Sequence, residues 1–158
     1  MCQMASNLSS KRKCAMPDQV LKDTIALLGI KTPLTESFGL MGVIRKGLPT
    51  KSLDKLAKQL ELSSSAIVVE LGLAKRTYAR KVEKQELLST EQTERVVRLA
   101  RVFAYAKQVF GAEEKARRWM LKKNRALGGE VPLRLLDTDI GGNAVVDELG
   151  RIDYGVFA

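Results

Sequence analysis

Apolar residues recur along this chain at helical spacing, and nowhere do they hold the two-residue alternation of a strand. The clearest run is Val96, Leu99, Phe103, Ala106 and Phe110, at steps of 3, 4, 3 and 4. That is one face of a long amphipathic helix. Ser89 with Gln92 has the form of a capping box at its start, and Gly111 ends it. Upstream, Leu21, Ile25 and Leu28 predict a helix that opens near Pro17 and Asp18 and stops at Gly29. The segment from Ile30 to Thr35, with Pro33, reads as a linker. A second helix is expected from Glu36 to Lys46, stopped by Gly47 and Pro49. Ser52 is read as the cap of a third, with Leu53, Leu56, Ala57 and Leu60 inward.

Ser63, Ser64 and Ser65 offer caps for a fourth helix, which carries Ile67, Val68 and Leu71 and breaks at Gly72. Another runs from near Ala74 to Lys84. Beyond the long helix, Glu113 to Lys123 forms a segment around Trp119. Asn124 to Glu130, with Gly128 and Gly129, is a turn. Pro132 opens a short helix through Leu136. Thr138 caps the last one, with Ile140, Val145, Leu149 and Ile152 read as inward.

These elements predict an all-α fold without internal repeats. Residues 1–15 lack periodicity and read as disordered, residues 16–86 as a helical DNA-binding domain, and residues 87–158 as a second helical domain. At 158 residues with 45% hydrophobic and 5% aromatic side chains, the core must be built from Leu, Val, Ile and Ala.

The segment from Ser63 to Lys84 has the layout of a helix-turn-helix. Gly72 sits in the turn, where positive φ costs a glycine nothing, and Leu71 and Leu73 flank it. The second helix carries Lys75, Arg76, Thr77, Tyr78, Arg80, Lys81 and Lys84 against the single acid Glu83. A recognition helix places its first residues on base edges and its later ones on phosphates, so these seven are the candidate DNA-binding residues. The pattern departs from the motif in two places. Val68 stands where a small residue is usual, and Ala74 leaves the recognition helix without a side-chain cap, at about 1 kcal/mol.

The net charge of +9 reinforces an anionic partner, nucleic acid first. The chain has no histidine, which removes the commonest general base and metal ligand. Cys2 and Cys14 alone cannot complete a structural zinc site and read as free thiols in a reducing compartment. Asp137 and Asp139 could be read as a carboxylate pair, but no nucleophile–base set, metal cluster or phosphate loop stands beside them. The expectation is a cytoplasmic, non-enzymatic protein without cofactor or metal. No apolar run reaches the length of a membrane span.

The end of the chain carries the opposite charge. Asp137, Asp139, Asp147, Glu148 and Asp153 stand against Arg151. A basic front and an acidic back imply two different partners. From Leu88 onward the pieces Arg98-Leu99-Ala100-Arg101, Val109-Phe110-Gly111, Ala116 with Trp119, Asn124 through Gly129 (NRALGG), Pro132-Leu133, Leu135-Leu136-Asp137-Thr138, Gly141, Leu149-Gly150-Arg151-Ile152 and Tyr154-Gly155-Val156 stand in one order and spacing. In this the chain resembles the Xre/MbcA/ParS toxin-binding family, the antitoxins of RES–Xre type II toxin–antitoxin pairs. The resemblance spans Phe38 to Ala158, with Met120 where the family usually has Leu and Lys123 where it usually has Pro.

The resemblance implies a homodimer that represses its own promoter through an Xre/Cro-like N-terminal domain. It also implies that the C-terminal domain occludes the active site of a RES-domain, NAD-degrading toxin. The candidate toxin-binding residues are Asp137, Asp139, Asp147, Glu148, Arg151, Asp153, Tyr154, Val156 and Phe157. An acidic tail tipped with Tyr154 and Phe157 has the chemistry to compete with an anionic dinucleotide for basic groups. Trp119 is expected in the core. Gly141-Gly142 fits either close approach of a partner backbone or tight internal packing, and Arg151 fits either a charged pair with the toxin or a place within the antitoxin fold. The alternatives are a stand-alone helix-turn-helix transcriptional regulator that uses the C-terminal domain for dimerisation, and a pure interaction module.

Overall fold

The computed structural model describes residues 18–31 and 37–155, which form helices joined by short turns. The helices are α1 (Asp18–Leu28), α2 (Ser37–Lys46), α3 (Thr50–Gln59), α4 (Ser64–Glu70), α5 (Lys75–Lys84), α6 (Thr90–Phe110), α7 (Glu113–Leu121) and α8 (Asp139–Asp153). Two 3-10 turns, Arg125–Leu127 and Pro132–Asp137, lie between α7 and α8. Cys2, Cys14, Pro17, Pro33, Val156 and Phe157 fall outside the described residues, as do the expected disordered N-terminus and most of the expected linker.

The fold is organised around α6. It packs against α1, α2, α7, α8 and the Pro132–Asp137 turn. Its expected stripe is inside: Val96, Leu99, Phe103 and Ala106 are fully buried. So are Val102 and Ala104, because neighbours cover the helix on several sides. Phe110, at the end of the stripe, is half-buried and tilts at 43° against Trp119, with ring centroids 5.7 Å apart. Both ends of α6 are fixed as the sequence predicts. The Ser89 hydroxyl accepts from the Gln92 amide, the Gln92 side chain accepts from the Ser89 amide, and Gly111 closes the helix at φ 65°.

Three packing expectations are corrected. In α1 the inward residues are Val20, Thr24, Leu27 and Leu28, while Leu21 and Ile25 are only partly covered. Polar Thr24 hides in this stripe because its hydroxyl donates to the Val20 carbonyl at 2.6 Å. Ser52 is not a cap: α3 begins at Thr50 after Pro49, and Ser52 lies buried in its first turn. Ile140 does not point inward. It is 85% exposed, because nine residues at 100° each place it diametrically opposite buried Leu149 on α8.

Candidate functional site

The helix-turn-helix is built by local rules. The Ser63 hydroxyl caps α4 by accepting from the Ala66 amide at 3.2 Å. Leu71 ends that helix, Gly72 turns the chain at φ 63°, and buried Leu71 and Leu73 pin the two helices together. Val68 is accommodated in the interior, where it is 1% exposed. Ala74 precedes α5 without a capping hydrogen bond, as its side chain dictates.

Along α5, Lys75, Arg76, Arg80 and Lys84 are exposed, and Thr77 is partly so. Two residues of the sequence-derived set face elsewhere. Tyr78 is buried, with its hydroxyl 3.3 Å from the Asp54 carboxylate, which also accepts from Ser64 at 2.5 Å. Burial first, and the Asp54 charge second, push the Tyr78 hydroxyl up to about 12. Tyr78 is thus the apolar anchor that holds α5 to α3, not a DNA-facing group. Lys81 is half-buried, and its Nζ donates to the Leu87 carbonyl at 2.6 Å, which ties down the chain after α5.

The turn is also held from behind. Arg95 on α6 donates to the carbonyls of Leu71 at 2.9 Å and Gly72 at 3.1 Å. Arg134, from the Pro132–Asp137 turn, pairs with Glu70 on α4 at 2.9 Å.

At the other end, Thr138 caps α8 by accepting from the Gly141 amide at 3.1 Å. Asp139 is exposed and pairs with Arg98 at 3.4 Å, while Arg98 also donates to the Leu136 carbonyl at 3.0 Å. Asp147, Asp153 and Tyr154 are exposed, and Asp137 is partly covered. Glu148 is buried and pairs with Arg151 at 3.3 Å, so both form an internal ion pair. Glu148 therefore cannot offer its carboxylate to a partner without breaking that pair. Burial, then the nearby Asp153 and Tyr154, raise the Tyr105 hydroxyl beneath this end of the helix. The glycine pair serves internal packing. A Cβ on Gly141 would collide with the Leu135 carbonyl oxygen, and one on Gly142 would lie 2.7 Å from Arg98 Cδ.

The family model of the antitoxin Xre-like helix-turn-helix domain matches residues 39–101. That of the antitoxin Xre/MbcA/ParS C-terminal toxin-binding domain matches residues 106–155. An Antitoxin Xre of Photorhabdus laumondii is 30% identical over 118 residues, covering 74% of this chain and 80% of that protein. The chain belongs to the Xre/MbcA/ParS antitoxin family. Further similar proteins are an Antitoxin Xre of Yersinia enterocolitica, 28% identical over 82% of this chain and 88% of its own length, and the Prs ADP-ribosylating antitoxin of a Sphingobium strain, 32% identical over 75% and 80%. The antitoxin therefore pairs a helix-turn-helix with a toxin-binding domain, and its partners are DNA and a toxin. Among the described residues no helix is long and apolar enough to cross a membrane.

Proposed function

We propose that this antitoxin neutralises a RES-domain, NAD-consuming toxin and represses its own operon as a cytoplasmic homodimer. The observation that carries the reading is the division of exposed charge within one small fold. Lys75, Arg76, Arg80 and Lys84 line one surface helix, whereas Asp147 is exposed midway along α8 and Asp153 stands beside Tyr154 at its end. The cationic helix follows a helix-turn-helix turn and suits the major groove, with Arg76 and Arg80 one turn apart on the same face. A dimer would present two such helices to a two-fold operator. The acidic, aromatic end of α8 suits a cleft whose substrate is an anionic dinucleotide.

The Sphingobium relative's name couples an antitoxin with ADP-ribosylation, and we carry this over as a second reading of the toxin's chemistry. ADP-ribosylation consumes NAD too, but transfers the ADP-ribosyl group to a protein instead of to water. Both reactions release nicotinamide, so one assay serves both. The antitoxin and the product of its neighbouring gene are co-expressed, co-purified and assayed for nicotinamide release and for covalent modification of protein. Deletion of residues 150–158 should restore toxin activity while leaving promoter binding in place. A folded deletion variant that still silences the toxin fully would place inhibition elsewhere, with the region from Asn124 to Thr138 next in line.

A further inference from the structure

We infer that the whole outward face of α8, from Ile140 to Tyr154, is the surface that seats in the toxin, with Ile140 as the anchor at the end far from the tail. This rests on the toxin-binding reading above and extends it by a full helix length.

Among the described residues Ile140 is 85% and Tyr154 76% exposed, well above the other exposed large hydrophobics, which lie between 45% and 49%. Ile140, Asn143, Asp147, Arg151 and Tyr154 follow one another at steps of 3, 4, 4 and 3 and so share one helix face. At 1.5 Å per residue the face is about 21 Å long. Ile140 cannot rotate inward. Thr138 fixes the first turn, Gly141 lies hard against the Leu135 carbonyl, and Leu149 and Val145 already fill the buried side. The fold thus holds a branched apolar side chain in water on a rigid, capped helix turn, flanked by exposed Asp139.

The occupant is a toxin rather than a second copy of this chain. The face lies within residues 106–155, which match a toxin-binding domain. Asp139 beside the face is already paired with Arg98, while Asp147 and Arg151 stand on it with opposite charges, which calls for a groove with an apolar pocket at each end, a cation opposite Asp147 and an acid opposite Arg151. A two-fold pairing that covers both Ile140 and Tyr154 sets Asp147, the midpoint, against its own mate, and like charges directly opposed disfavour it; the antiparallel register that would pair Asp147 with the mate's Arg151 leaves Ile140 uncovered.

The test uses the full-length antitoxin and the toxin of the neighbouring gene, with affinity measured calorimetrically. Removing an isoleucine that the complex buries predicts Kd weaker by about tenfold for Ile140→Ser and about a hundredfold for Ile140→Asp. Circular dichroism and promoter gel shifts should be unchanged, and Met41→Ser, another exposed apolar position, should bind as the unmodified chain does. Ile140→Asp binding within twofold of the unmodified chain overturns the proposal. If Asp153→Ala with Tyr154→Ala alone weakens the complex, inhibition through the tail stands and the extended face falls. If the unmodified chain does not bind that toxin, both readings fall together. Light scattering that shows Ile140→Asp turning a dimer into a monomer makes the face a self-interface, and also overturns the proposal.

Discussion

Arg95 Nη1 donates to the carbonyl of Gly72 at 3.1 Å, so the central helix holds the very turn that aims α5. The same nitrogen reaches the Leu71 carbonyl, at the end of α4, where a cation also meets the negative end of the helix. Arg95→Ala should destabilise the fold by about 1–3 kcal/mol, the usual worth of hydrogen bonds from a charged donor. It should also weaken promoter binding by loosening α5. Because Arg95 touches backbone rather than phosphate, the slope of log affinity against log salt should stay the same. A changed slope would mean that Arg95 itself meets DNA.

The exposed cations of α5 make the complementary prediction. Replacing Lys75, Arg76 and Arg80 by Ala should reduce the salt slope by about one for each phosphate that is no longer neutralised, and leave toxin neutralisation intact. Tyr78→Phe should leave the slope unchanged, since that ring is buried against α3. Gel shifts across a salt series check both variants, and the toxin assay checks the rest.

Stability should fall in strong alkali through Tyr78. Its folded hydroxyl is raised to about 12 against an ordinary 10.0, so the folded state holds the proton more tightly than the unfolded chain. The contribution is fully present below pH 10 and is lost as pH rises toward 12, on the order of 2 kcal/mol across that window. Tyr105 shifts in the same direction and adds to the effect. Thermal melts from pH 8 to 12 should show a shallower decline in Tyr78→Phe than in the unmodified chain. Equal slopes would show that Tyr78 does not titrate in this way.

Two glycines of α8 should respond to alanine with opposite signs. At Gly141 the new methyl meets the Leu135 carbonyl, with Thr138 Oγ1 at 3.0 Å, and a destabilisation of about 3 kcal/mol is expected. At Gly150 the nearest atom is the Tyr105 hydroxyl oxygen at 3.7 Å, an ordinary contact, so helix propensity should decide. A gain of about 0.5–1 kcal/mol follows there. Denaturant unfolding of both variants distinguishes them.

Local signals in the sequence carry far because they are short-range. The capping box at Ser89 and Gln92, the Thr138 cap, the Gly72 turn and the stripe on α6 each depend on residues within a few positions of one another. Sequence patterns mislead where tertiary partners decide. Tyr78 carries a hydroxyl and sits among cations, so it reads as a DNA-facing group. Yet α5 has only Tyr78 and Val82 as large apolar residues, and a helix that packs at all needs one of them inside. Val82 is 45% exposed, which leaves Tyr78. Hydrophobicity alone puts Ile140 inside, although its phase against Leu149 is already in the numbering. Glu148 carries a signal of the same kind, since it adjoins Leu149 and stands three residues from Val145 while Asp147 falls on the far side, but its charge argues against burial until its partner Arg151 is in place.

The match to the DNA-binding domain ends at residue 101 and the match to the toxin-binding domain begins at residue 106, and both limits fall inside the unbroken helix α6. Val96 and Leu99 on the first stretch, Phe103 between the two and Ala106 on the second are cut from a single rod, and all are buried. A genetic crossover in this helix would hand each daughter protein half of a core shaped for a different mate. The stretch that carries the helix-turn-helix and the stretch matched to the toxin-binding domain therefore share one core, and exchanging either for a relative's would require the rod between them to be repacked.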